Sequence, residues 1–127
     1  MAVGVGKARV LVADDDIGFT DILTIKLERM GCEVVVAMDG EEALRLARRE
    51  QPALIVASET LSRLGGFKLC RLLKFDRKRK NIPIILMTSA ESEEGQQIAE
   101  LVRANACLAK TVDDVELTSV LQRALKP

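Results

Sequence analysis

A doubly wound α/β fold, one parallel sheet of five strands covered by helices on both faces, is the class this sequence predicts. Three observations carry it. Five short apolar runs alternate with segments of helical period. The runs are continuously apolar rather than alternating, as expected of strands buried on both faces. Acidic residues gather where the helices should start and basic ones where they should end, the polarity that the helix macrodipole favours. Right-handed crossovers between the parallel strands then leave doubly wound folds as the leading class.

The elements follow in order along the chain. Arg9-Val10-Leu11-Val12-Ala13 reads as a first strand, closed by Asp14-Asp15-Asp16. Ile22, Leu23, Leu27 and Met30 recur at helical spacing, and Gly31 ends that helix. Glu33 to Ala37 is a second strand, followed by a helix from Glu41 to Glu50 with Ala43, Leu44 and Ala47 inward. Ala53 to Ala57 is a third strand, entered through Pro52, and Leu69, Cys70 and Leu73 mark a helix after Gly65-Gly66. Pro83 to Met87 is a fourth strand whose proline belongs at its start, because proline cannot donate to the ladder. A fourth helix, from about Glu93 to Arg103, turns Ile98, Leu101 and Val102 inward. Cys107-Leu108-Ala109 is a short fifth strand. Asp113 with Glu116 three residues on resembles a capping box, opening a last helix with Leu117, Val120, Leu121 and Leu125 on its apolar face. Residues 1–8 read as a tail and 9–127 as one domain, without repeats or linkers.

Composition excludes several chemistries. The 127 residues are 48% apolar and 30% charged, which fits one folded domain. With 19 basic and 19 acidic residues there is no net pull toward nucleic acid or an anionic membrane. The chain has no His, so it cannot build a Ser-His-Asp triad, a Cys-His pair or a His-rich zinc site by itself. Cys32, Cys70 and Cys107 are far apart, odd in number and set among apolar residues, which predicts core side chains rather than disulfides or zinc. No run approaches the ~18 apolar residues of a membrane span, and the first residues lack a signal-peptide core. A reduced, cytoplasmic protein is expected.

In doubly wound sheets, sites form beyond the carboxyl ends of the strands. Asp14 and Asp15 leave the first strand there, Ser58 follows the third, Thr88 ends the fourth and Lys110 follows the fifth. Adjacent carboxylates repel, and magnesium commonly takes one or two carboxylates with waters or phosphate oxygens. Helix capping accounts for one of the acids equally well. Two acids, two hydroxyls and an ammonium at one edge suit the handling of a phosphoryl group.

These stretches, with Asp39-Gly-Glu-Glu-Ala-Leu44, Pro52-Ala-Leu-Ile-Val56, Gly66-Phe67, Ile82 to Ser89 and Ala109-Lys110, resemble the receiver domain of bacterial two-component response regulators from Arg9 to Lys126. The resemblance implies a flavodoxin-like fold with strand order 2-1-3-4-5, two helices on one face and three on the other. It assigns the magnesium-binding acid pair to Asp14 and Asp15 and the phosphoryl contacts to Thr88 and Lys110. It also implies signalling proteins as partners, docked on the face of helix four, strand five and helix five, with a homodimer left open.

At the family's phosphoacceptor Asp stands Ser58. A carboxylate, with an ordinary pKa of about 3.9, attacks without a base. A hydroxyl needs one. No His is present, and Lys110 beside two carboxylates serves as a cation. Glu59 is adjacent, but strand alternation points it the other way. The family's strand-five switch aromatic corresponds to Cys107, and Thr111 replaces the proline after the lysine, removing the reason to expect a cis peptide there.

The expectation is therefore a pseudo-receiver. It is a non-enzymatic two-component module that does not use the usual His-to-Asp phosphorelay route and works by protein–protein interaction. No cofactor is required, and magnesium binds weakly or not at all without phosphate. The alternative is a still-switchable receiver whose pocket of Asp14, Asp15, Thr88 and Lys110 responds to magnesium, phosphate or Ser58 modification. The basic run Arg71 to Lys80 reads first as a solvated helix end and next as a docking patch for an acidic protein. Gly4-Val5-Gly6-Lys7 lacks the leading glycine and the following Ser or Thr of a phosphate loop, and it precedes the strand.

Overall fold

The computed structural model of the protein describes residues 7–126, so most of the tail, including Gly4 to Gly6, and Pro127 lie outside the described residues. Ten elements follow one another: β1 (Arg9–Ala13), α1 (Ile17–Arg29), β2 (Glu33–Ala37), α2 (Gly40–Glu50), β3 (Leu54–Ser58), α3 (Gly66–Lys74), β4 (Ile84–Thr88), α4 (Glu93–Leu101), β5 (Ala106–Ala109) and α5 (Asp114–Leu125). The strands form one parallel sheet in the order β2-β1-β3-β4-β5, the doubly wound arrangement that the sequence predicts.

Strand alternation splits the core in two. Leu11, Ile55, Ala57 and Leu86 face α2, α3 and α4, where Leu46, Leu69, Leu73 and Ala99 meet them. Val10, Val12, Val56, Ile85 and Met87 face α1 and α5, against Leu23, Leu27 and Leu121. The helices start where short polar side chains replace missing acceptors. Asp16 accepts from the Phe19 N–H, Asp39 from Glu42, Ser92 from Gly95 and Asp113 from Glu116. At α3 no side chain caps the helix, and Gly65 turns the chain at φ 79° instead. Gly66 then packs so close to β3 that a Cβ would lie 2.3 Å from the Ser58 carbonyl oxygen. That approach ties the start of α3 to the end of β3.

Several details depart from the sequence expectation. Strands β3 and β4 begin and end one residue later than their apolar runs, so Ser58 is the last residue of β3 rather than the residue after it, and Thr88 ends β4 as expected. Ile22 and Leu101, assigned inward by period, are exposed; Thr20 on α1 and Ala99 on α4 take the buried places. A 3.6-residue period fixes the spacing of a face but not which face wins, and the close sheet contact favours small side chains. Helix α4 stops at Leu101, and Arg103 lies beyond it in a left-handed conformation, φ 64°. Helices α1 and α3 carry no acid in their first turns. No cis peptide occurs among the described residues, Lys110–Thr111 included, and no helix is long and apolar enough to cross a membrane. Cys32 and Cys70 are free and buried, as expected of core side chains; Cys107 is free and half-buried.

Candidate functional site

The topology gathers the expected residues at the carboxyl edge of the sheet. Asp14 extends β1 by one ladder bond, its N–H donating to the Ala37 carbonyl at 3.0 Å, and it is 1% exposed. Ser58 ends β3 opposite Met87, and Thr88 ends β4 opposite Ala109. Both hydroxyl residues are buried. Lys110 follows β5, held by its N–H donating to the Thr88 carbonyl at 2.7 Å.

Lys110 is the centre of the arrangement. Its Nζ lies 2.7 Å from Asp14 Oδ2, 3.8 Å from Asp16 Oδ2 and 4.7 Å from the centroid of the Phe19 ring. The ammonium thus neutralises a buried carboxylate and is itself caged by a second acid and an aromatic face. The other oxygen of Asp14 accepts from the Asp16 N–H at 2.9 Å. Asp15 is exposed and makes no ion pair among the described residues. So the adjacent acids divide: Asp14 faces the interior, Asp15 the solvent, and Asp16 caps α1 while standing near Lys110.

The hydroxyls are engaged locally. Ser58 Oγ lies 3.0 Å from Thr60 Oγ1 and accepts from the Thr60 N–H at 3.3 Å. Thr88 Oγ1 donates to the Ala90 carbonyl at 3.0 Å and lies 3.4 Å from that of Leu108. Glu59 turns away from Ser58, as alternation requires, and reaches the β4–α4 loop. Its Oε1 accepts from the Ser89 N–H at 3.1 Å and lies 3.4 Å from Ser89 Oγ. That link escaped the sequence reading, because strand period says where a side chain leaves, not which loop meets it. Cys107 sits nearby on β5, and its thiol is pushed above the ordinary range by burial and then by the charge of Glu59. Its carbonyl accepts from Gln96 Nε2 of α4 at 3.0 Å.

Of the residues singled out from the sequence, Asp14 is a neutralised carboxylate, Asp15 a surface carboxylate without an ion pair among the described residues, and Ser58 and Thr88 are hydroxyls already bonded. No base stands beside Ser58 among the groups that contact it. Among the described residues no cluster of three or more acids or cysteines is placed to hold a metal ion.

The family model for the response regulator receiver domain matches residues 10–122. The chain is 30% identical over 118 residues to the alkaline phosphatase synthesis transcriptional regulatory protein PhoP of Bacillus subtilis, covering 93% of this chain and 48% of that protein. It is 41% identical over 85 residues to the probable transcriptional regulator ycf27 of Cyanophora paradoxa, covering 67% of this chain and 34% of that protein. It therefore spans less than half the length of these two relatives. Among solved structures, the chemotaxis protein CheY4 of Vibrio cholerae superposes with a TM-score of 0.86 at 30% identity, covering 94% of this chain and 100% of that one.

Proposed function

Because the chain belongs to the response regulator receiver domain family, a two-component signalling module, we propose that it has left the phosphorelay chemistry of that family and acts through protein–protein contacts. One observation carries the reading. The residue at the end of β3, where the family resemblance puts the phosphoacceptor, is Ser58, a buried hydroxyl bonded to Thr60. Attack on phosphorus from this position requires removal of the hydroxyl proton. Lys110, the cation that follows β5 at the same sheet edge, is committed to Asp14 at 2.7 Å.

A resident magnesium ion does not fit this donor set. Asp14 offers one oxygen already facing an ammonium and another accepting a backbone N–H. Ser58 adds no charge, which leaves Asp15 alone among the donors that the resemblance names. Thr88 and Lys110 keep the positions of the family's phosphoryl contacts, but here they hold the Ala90 carbonyl and Asp14 instead. The pocket is thus a fixed structural centre that ties the end of β5 to β1 and α1 and the end of β4 to the loop before α4, beside the face of α4, β5 and α5. That face, with signalling proteins docked on it in the cytoplasm, is the reading's binding surface, and pairing of two copies is compatible with it.

Incubation with acetyl phosphate and magnesium, followed by intact mass, tests the reading. No phosphoryl adduct is expected on the wild-type chain, and an adduct would overturn it. Ser58→Asp is expected to gain an adduct only if Lys110 can exchange Asp14 for the new carboxylate.

A further inference from the structure

The charges of this chain cancel in sum, yet the fold separates them. Helices returning between parallel strands place every helix N-terminus at the carboxyl edge of the sheet and every C-terminus at the amino edge. At the carboxyl edge Asp15, Glu91, Glu93, Glu94, Asp113 and Glu116 are exposed and make no ion pair among the described residues. The cations Lys110 and Arg63 of that edge are already paired, with Asp14 and Glu41, which leaves Lys68. At the amino edge the pattern inverts. Arg71, Arg77, Lys78, Lys80 and Arg103 are exposed without an ion pair among the described residues, while Glu33, Glu50 and Asp76 are paired. Glu28 and Glu100 remain as exposed acids there.

The helix macrodipole accounts only for charges in the terminal turns. Arg77, Lys78 and Lys80 lie past the end of α3, and Glu91 precedes the cap of α4. Each edge also carries apolar side chains that nothing covers. Phe75 is 56% and Leu101 76% exposed at the basic edge; Ile17 is 65% and Val115 81% exposed at the acidic edge. The Arg103 guanidinium stands 4.6 Å from the Phe75 ring centroid, so charge and apolar surface form one patch.

We propose that the chain associates head to tail with a second copy of itself, the basic amino edge of one seating on the acidic carboxyl edge of the next. Both halves of the complement are present on one chain, opposite in sign and each with apolar anchors inside a charged rim. The charges steer and register the contact, and the apolar side chains are buried in it. Such a contact is heterologous: each copy keeps one free edge, so assemblies lengthen with concentration unless they close into a ring. It also sets a cationic surface over the edge that holds Asp15 and Ser58. The inference stands apart from the fate of Ser58 itself.

Sedimentation velocity from micromolar to millimolar protein tests it, in about 0.01 M salt, where the Debye length is ~30 Å, and in 1 M, where it is ~3 Å. The expected result is an average mass that at least doubles with concentration at low salt and returns to monomer at high salt. The triple variant Arg71→Glu, Arg77→Glu, Lys78→Glu is expected to stay monomeric. Added in small proportion it should shorten wild-type assemblies, because its acidic edge still accepts a neighbour while its other edge offers none. Glu93→Lys with Glu116→Lys should do the same from the opposite edge, and circular dichroism verifies that both variants fold. A wild-type chain that is monomeric throughout, or that associates equally well in 1 M salt, overturns the proposal, as does association that neither folded variant disturbs. If a variant does not fold, the wild-type salt and concentration series decides alone.

Discussion

Asp14 at the carboxyl edge and Lys74 at the amino edge are both buried, at 1% and 8% exposure, and they are compensated differently. Asp14 has a counter-charge, the Lys110 ammonium at 2.7 Å. Lys74 has none among the described residues; its Nζ donates to the carbonyls of Ile82 at 2.7 Å and Lys80 at 3.3 Å, and burial lowers its pKa. A charge neutralised by a charge makes a fixed centre whose loss leaves its partner stranded. A charge satisfied only by dipoles ties down a loop, here the turn that leads into β4, and keeps a dependence on pH. The buried charge at the site is therefore held by a counter-charge, and the buried charge at the opposite edge by hydrogen bonds.

Removing Lys110 is the harshest way to break this contrast. Lys110→Ala leaves a buried carboxylate unpaired, and it is expected to cost about 3 kcal/mol, the low end for breaking a buried pair, because the lysine is partly exposed. In urea this lowers the unfolding midpoint by more than about 1 M. Millimolar magnesium is expected to restore part of that loss in the variant and to leave the wild-type midpoint unchanged. A wild-type midpoint that rises with magnesium would show that Lys110 does not occupy the cation's place.

Lys74→Met asks the same question of the other edge, and the answer should be smaller, about 1 kcal/mol at pH 7 for the lost hydrogen bonds. The sharper reading is the slope with pH. The folded-state pKa of Lys74 lies below its ordinary 10.5, so between the two values the unfolded chain binds more protons and stability rises with pH. Cys70, one turn earlier on α3, has its thiol pushed by burial from 9.0 to about 11, so its contribution falls across that window. Removing Lys74 takes away the rise and leaves the fall. The variant should lose more stability than wild type between about pH 9 and pH 11; parallel curves would refute the assignment.

The same two edges show what the sequence carries and what it does not. Five apolar runs specify five strands, and the spacing from Asp14 through Ser58 and Thr88 to Lys110 specifies one sheet edge, because strand ends are set by where continuous burial stops. Which acid Lys110 pairs with is not in the spacing. Asp14 wins over Asp15 because the backbone still follows the ladder at residue 14, which turns its side chain inward. Lys74 looks like one more cation in a basic run, and only the turn at residues 80–82 brings carbonyls to it. Exposed Ile22 and Leu101 teach the complement: helical period alone overcounts the buried face, since Thr20 and Ala99 fit closer to the sheet.

Glu59 gives the mildest test, because its carboxylate is half-exposed and its link to Ser89 spans a loop rather than a core. Glu59→Ala removes the acceptor for the Ser89 N–H at 3.1 Å and should cost about 0.5 kcal/mol globally. Two local readouts separate this from a neutral surface change. Amide exchange at Ser89 should accelerate, since its backbone donor loses a protein partner. The charge of Glu59 also helps to hold the Cys107 thiol above its ordinary range, so its removal should lower that pKa and quicken alkylation of Cys107 near neutral pH. Burial, the larger cause, stays in place, so only a partial shift is expected. Unchanged exchange at Ser89 with unchanged Cys107 reactivity would mean that the β4–α4 loop is held by Thr88 and its carbonyl partners alone, and that the carboxyl edge needs only its central ion pair.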